Sequence, residues 1–164
     1  KPLAAALGLS RLAPGNLGFT PGPGPRTLAL PGVPPVGPMI CYEMIFPARI
    51  VERGGRRPAW MFNPSNDAWF GAAGPPQHLA LARLRAIEEG LPIARSTPTG
   101  ISALVGPDGA LLAALGQRAM GVVARSLPEP HPPTPFARAG HLTSLALALA
   151  LGALAWVARL RHGT

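Results

Sequence analysis

From Leu142 to Val157 the chain reads LTSLALALALGALAWV, with no charged residue. A stretch that is apolar on every face has no side to turn toward water, so it must be sealed in a core or laid in lipid. As a helix, with Ala158 included, it is about 26 Å long, near the lower limit for crossing a bilayer. Its six leucines favour insertion by roughly 2 to 4 kcal/mol, and no charge opposes them. Trp156 stands near one end, where an indole suits the interface. These features predict a transmembrane helix over residues 138–160 and a tail over 161–164. Arg159 and Arg161 on one flank outvote Arg138 on the other, which places the tail in the cytoplasm and the preceding domain outside the inner membrane. Residues 1–137 then form one modest extramembrane domain.

Within that domain the most informative stretch is Pro38-Met39-Ile40-Cys41-Tyr42-Glu43, which holds the only cysteine. A lone cysteine excludes an internal disulfide and, taken by itself, is most often a small buried hydrophobe. Two features point instead to a reactive thiol. Tyr42 and Glu43 are polar groups that a buried strand would have to satisfy. In addition, the apolar run from Val36 ends at Cys41, as a strand does when it presents a nucleophile at the turn beyond it. A second short apolar run, Ala59 to Phe62, leads into the polar cluster Asn63-Pro64-Ser65-Asn66-Asp67-Ala68-Trp69-Phe70-Gly71. Phe46 to Arg53, stopped by Gly54-Gly55, reads as a helix between the two strands. In a βαβ unit of this kind both strand ends share one rim, so Cys41 is expected beside Asn66 and Asp67. The cluster is either an ordinary Asn/Asp/Gly turn or a pocket wall; Trp69 and Phe70, which a turn does not need, favour the wall.

Elsewhere, residues 1–35 are rich in proline and glycine and read as an irregular loop region, with a short helix over Leu3–Leu12 and either a flap or a plain connector after it. Pro75-Pro76 opens the clearest helix, running to about Glu89 and stopped by Gly90. Its apolar stripe is Ala80, Leu84, Ile87 and Leu91, with Arg85 and Glu89 expected as solvated decoration on another face. Pro92–Ser96, Ile101–Gly106 and Ala110–Leu115 read as strands, the last two joined by the Pro107-Asp108-Gly109 turn; Met120–Ala124 is a further candidate strand, and Leu127–Pro135 a linker. His78 has no partner at metal-ligand spacing, so a structural role is expected for it, and no metal or cofactor is implied.

Fourteen arginines and one lysine against seven acids give a net charge of +8. Such a balance suits an anionic membrane surface or nucleic acid. The arginines are scattered and not interleaved with aromatics, and no zinc-finger or RNA-binding spacing is present, which argues against nucleic acid.

The motifs Met39-Ile40-Cys41-Tyr42-Glu43, Ser65-Asn66-Asp67-Ala68-Trp69-Phe70-Gly71, Gln77-His78 with Arg83-Leu84-Arg85-Ala86-Ile87-Glu88, Arg95-Ser96-Thr97 with Gly100-Ile101-Ser102, and Pro135-Phe136-Ala137-Arg138-Ala139-Gly140 resemble the apolipoprotein N-acyltransferase family over roughly residues 36–160. The resemblance implies an α/β fold: the C-terminal portion of a nitrilase-type αββα sandwich, followed by one transmembrane helix. It implies acyl transfer from a phospholipid donor, through a cysteine thioester, to the N-terminal amine of a diacylglyceryl-cysteine apolipoprotein. Cys41 matches the nucleophile and Glu43 an acidic residue supporting the site. Tyr42, Asn66, Asp67 and Trp69 fall where substrate would be held, Trp69 along the acyl path. The family's base Glu and its Lys precede the cysteine in the chain. Here no acid precedes Glu43, and Lys1, the only lysine, lacks the family's flanking residues. The piece alone is therefore expected to be inactive. Pro98-Thr99 also departs from the family's pair before Gly100. The rival expectations are a membrane-tethered amidase of the nitrilase superfamily and a catalytically dead membrane-anchored binding module.

Overall fold

The computed structural model describes residues 22–162; the helix expected over Leu3–Leu12, the first part of the loop region and Lys1 lie outside these residues. Five strands form one mixed sheet in sequence order: β1 (Val36–Pro38), β2 (Trp60–Pro64), β3 (Ile93–Ser96), β4 (Ser102–Val105) and β5 (Leu111–Leu115). The pairs β1–β2 and β2–β3 are parallel, while β3–β4 and β4–β5 are antiparallel. Helix α1 (Gly74–Glu89) links β2 to β3 and covers one face of the sheet. A short helix α2 (Pro135–Ala139) leads to α3 (His141–His162). The fold class is the expected α/β one.

Register decides which side chains meet. Met61 stands beside Ile93, and Ile93 beside Val105, so these three apolar residues share the face under α1 and are fully buried. Two positions along, Asn63 stands beside Arg95 on that same face, and both are buried. Gly37 leaves room for this packing, since a Cβ there would lie 2.6 Å from the Met61 sulfur. On the opposite face Trp60, Phe62, Ala94 and Leu104 border an open hollow of about 430 Å³.

The end of α1 matches expectation: Gly90 adopts the left-handed conformation at φ 64° and its N–H reaches back to the Ala86 carbonyl. Its buried face does not. Ala80, Leu84 and Ile87 are exposed, whereas His78, Leu79, Ala82, Arg85, Ala86 and Glu89 are buried. The small side chains of Ala82 and Ala86 let the helix approach the sheet closely, and the sheet's own polar residues require His78 beneath it. Arg85 pairs with Glu88 at 3.0 Å, not with Glu89. Burial raises the pKa of both glutamates above the ordinary carboxylate range, despite the arginines nearby. Ile87 packs instead on the β4–β5 turn, where a Cβ on Gly109 would meet its Cδ1 at 2.7 Å.

Two expected elements are absent among the described residues. No α-helix forms over Phe46–Arg53, because Ala48 turns left-handed at φ 59° and interrupts it; the crossover from β1 instead begins as a 3-10 turn over Cys41–Ile45 and drops Ile50 into the core. No strand forms over Met120–Ala124. There the Arg125 guanidinium takes the Leu112 carbonyl at the sheet edge, an acceptor that a further strand would have used.

Gly140, with φ 57° and ψ −134°, separates α2 from α3, so the long helix starts at His141 and not at residue 138. Over His141–Arg161 α3 is long and apolar enough to cross a membrane, and none of that stretch is buried against the domain. Twenty-one residues rise about 32 Å, which matches a hydrocarbon core of about 30 Å.

Candidate active site

Cys41 lies three residues beyond the end of β1, at the head of the 3-10 turn, with φ 49°. A non-glycine residue in the left-handed region costs on the order of 1 to 3 kcal/mol and tends to mark a functional turn. The turn is held from both sides. The Ile40 N–H donates to Glu43 Oε2 at 2.7 Å, and the Glu43 N–H donates to the Ile40 carbonyl at 3.0 Å. Glu43 therefore fixes the backbone on either side of Cys41, with its carboxylate at the surface. The thiol itself is half-buried. Ile40 and Tyr42 on either side are exposed, and Tyr42 meets the Phe46 ring edge-on at 6.2 Å.

As parallel strands require, the ends of β1 and β2 meet at one rim. The Ser65 hydroxyl lies 3.4 Å from Cys41 Sγ and 3.1 Å from Asp67 Oδ1. Asn63 donates from its amide to the Met39 carbonyl at 2.7 Å, and its carbonyl oxygen accepts from Arg95. Arg95 Nη2 donates to Asp67 Oδ2 at 2.6 Å, and His78 Nδ1 lies 2.8 Å from Asp67 Oδ1. A buried polar chain thus runs from the thiol through Ser65 and Asp67 to His78 and Arg95. Burial alone would raise the Asp67 pKa; the hydrogen bonds from His78, Arg95 and Ser65 and the Arg95 charge outweigh it, so the pKa is lowered and the carboxylate stays ionised. With Asp67 ionised, His78 Nδ1 carries the proton and donates.

The sequence-derived candidates thus occupy different positions. Asn66 caps the next turn by accepting the Ala68 N–H at 3.0 Å. Trp69 is 87% exposed beside the rim, and Phe70 meets the His78 ring edge-on. Asp67 is the exception to the expected ligand contact: its side chain is wholly buried between Arg95 and His78, so here it orders the rim from behind. Ser65, Asn63 and Arg95 join the rim beyond the residues expected from sequence. The signal for Arg95 was a charged residue inside a short, otherwise apolar strand, which demands a buried partner.

Gly100 completes this arrangement. A Cβ there would lie 2.1 Å from Asp67 Oδ2. Gly100→Ala is therefore expected to displace the carboxylate from Arg95 and to destabilise the domain by about 1 to 3 kcal/mol. Thermal unfolding beside the parent measures it; an unchanged melting temperature would contradict this placement of Asp67. Among the described residues no cluster of His, Cys, Asp or Glu could hold a metal ion.

A half-buried thiol just beyond the carboxyl end of a parallel strand, followed closely by a glutamate, is the candidate site of this α/β fold. The sequence matches the carbon-nitrogen hydrolase family over residues 13–129, and the chain belongs to that family. The apolipoprotein N-acyltransferase of Rhodopseudomonas palustris is 46% identical over 146 residues, which is 88% of this chain and 27% of that protein. That of Bradyrhizobium diazoefficiens is 45% identical over 158 residues, 96% of this chain and 29% of that one. These relatives bear out the resemblance read from the Cys-Tyr-Glu and Ser-Asn-Asp motifs. The chain spans just over a quarter of their length. Among solved structures, a mutant of the Nesterenkonia AN1 amidase from the nitrilase superfamily is similar, with a TM-score of 0.48, 26% identity and coverage of 60% of this chain and 40% of that one.

Proposed function

We propose that this chain carries the nucleophile and a membrane helix of an apolipoprotein N-acyltransferase. In the first half-reaction Cys41 Sγ, as thiolate, attacks the ester carbonyl of a phospholipid. A C–S bond forms, the ester C–O bond breaks, and the lysophospholipid oxygen leaves with a proton. In the second, the N-terminal amine of a diacylglyceryl-cysteine apolipoprotein attacks the thioester; a C–N bond forms, the C–S bond breaks and the amine proton returns the thiol. Sulfur suits both halves, being a strong nucleophile as thiolate and a good leaving group as thioester. The base and the cation that assist both steps in the family come from residues preceding this chain's Cys41 in the full protein. Glu43 holds the nucleophile's turn, and Asn66 the turn opposite. The exposed Tyr42 and Trp69 supply apolar surface for the acyl chain. The catalytic domain stands on the periplasmic side of the inner membrane, with the tail inside.

The observation that carries this reading is a thiol in a left-handed turn, half-open to solvent, on a domain whose chain continues directly into a 21-residue apolar helix. Incubating the full-length protein with phospholipid should add the mass of one acyl group to the peptide containing Cys41, and an apolipoprotein peptide should discharge it. Acyl mass elsewhere, or none, overturns the reading; discharge to free fatty acid alone would assign an amidase-like hydrolase instead. Residues 1–164 alone should show no turnover above background.

A further inference from the structure

Two clefts adjoin on the side of the domain where the membrane helix begins. One, of about 800 Å³, is bordered by Arg53 and by His141 and Leu142 of the first turn of α3. The other, of about 480 Å³, is bordered by Ile40 and Glu43, the neighbours of the thiol residue. They share one wall, made of Pro25, Arg26 and Arg49. The two clefts therefore adjoin across this wall, one reaching the first turn of α3 and the other the turn that carries Cys41, and two arginines stand at the neck between them.

These arginines have no established task in the fold. Both are exposed, and no carboxylate lies within ion-pair distance of either among the described residues. Residues 1–21 contain no Asp or Glu that could pair with them. The carboxylate on the membrane-side cleft, Glu52, accepts the Thr27 N–H at 3.1 Å. Arg53 is tethered to the Ala48 carbonyl at 3.1 Å, and its Nη2 lies 2.8 Å from where a Cβ on Gly140 would stand. A larger residue at the break before α3 would push that guanidinium out of the cleft. The cleft thus has an excess of guanidinium groups at the depth where the membrane helix leaves the domain. With α3 spanning the bilayer, as in the reading above, that is also the depth of the lipid phosphates. Guanidinium pairs grip phosphate through charge-assisted, often bidentate hydrogen bonds.

We propose that this cleft seats the phosphate of the phospholipid donor, with Arg26 and Arg49 at the neck taking its oxygens and Arg53 guarding the membrane side. The proposal rests on the acyl-transfer reading above and extends it to how the donor is held. A lipid anchored there extends its glycerol ester along the second cleft toward Ile40 and Glu43, while its tails remain beside α3. Arg26 and Arg49 act on position only and take no part in bond making.

The test uses the full-length protein in detergent, with Cys41→Ala to prevent turnover. Binding is measured for a short-chain phosphatidylethanolamine, a phosphatidylglycerol and a diacylglycerol of the same chain length, and for inorganic phosphate. Arg26→Gln and Arg49→Gln should each weaken both phospholipids about tenfold and leave diacylglycerol unchanged. Arg56→Gln, an exposed arginine outside both clefts, should change nothing. Equal affinities in parent and variants overturn the proposal. So does a loss confined to phosphatidylglycerol, which marks general attraction to an anionic surface. Inorganic phosphate binding as tightly as the lipids would assign a free-anion site and overturn the lipid assignment. The acyl-enzyme mass, read on the protein with Cys41 intact, fails only if the transfer reading fails, so the two failures are separable.

Discussion

Replacing Cys41 with serine is expected to reduce acyl transfer by the full-length protein about a thousandfold or more and to abolish the acyl-enzyme adduct. The hydroxyl fits the same turn and can still contact Ser65, so the folded structure should survive. What is lost is an atom that ionises readily enough to attack and leaves readily enough to be displaced. The backbone supplies a second, independent expectation. At φ 49° any residue with a Cβ is strained, and glycine is not. Cys41→Gly should therefore be more stable than Cys41→Ala by about 1 kcal/mol, both being inactive, as measured by chemical unfolding under identical conditions. Activity in the serine variant would remove Cys41 from its role. Equal stability of the glycine and alanine variants would show that the turn is unstrained.

The rim of the site was legible because its signals are local. A short apolar run ending at a nucleophile, and a second ending in Asn/Asp/Gly turn chemistry, place Cys41 and Asp67 together once the strands are parallel. The limits of α1 and the β4–β5 hairpin were legible for the same reason: Pro75-Pro76, Gly90 and Asp108-Gly109 act through their own backbone. The buried face of α1 was not legible. Periodicity counts apolar residues, and this helix buries His78, Arg85 and Glu89 while leaving Leu84 and Ile87 outside. Which face turns inward is decided by the partners on the sheet, and those come from strands distant in sequence. The missing Phe46–Arg53 helix has a similar cause. Helix propensity favoured it, but Ile50 is drawn into the core, and a left-handed Ala48 turns the chain to bring it there. The long apolar helix α3 needed no partner, since an uncharged apolar stretch is its own signal.

The buried ion pair behind the thiol carries the other large expectation. Asp67→Asn keeps the shape of the side chain but leaves the Arg95 guanidinium charged and wholly buried. Breaking a buried pair in this way costs about 3 to 5 kcal/mol, more than the pair would cost relative to a packed apolar core, because the remaining charge has no partner. Removing both partners, as in Asp67→Asn with Arg95→Met, should cost less than the sum of the single changes, with a coupling of about 1 to 3 kcal/mol. The pH dependence follows from the same contacts. The folded Asp67 pKa is lowered from its ordinary 3.8, so the unfolded chain takes up a proton first on acidification. The stabilisation is complete above the unfolded value and is lost as pH falls through the lower folded one. The parent should therefore lose stability steeply below about pH 4, and Asp67→Asn should lack that part of the slope. Denaturant midpoints at pH 7 and at successively lower pH values measure both effects. A parallel pH profile for the two proteins would mean that the carboxylate is not held by Arg95 and His78 as described. Ser65, which bridges this pair to the thiol, should then show the consequence in activity. Asp67→Asn molecules that remain folded at pH 7 should form the acyl-enzyme more slowly at unchanged phospholipid affinity, because the rim that positions Sγ has lost its support.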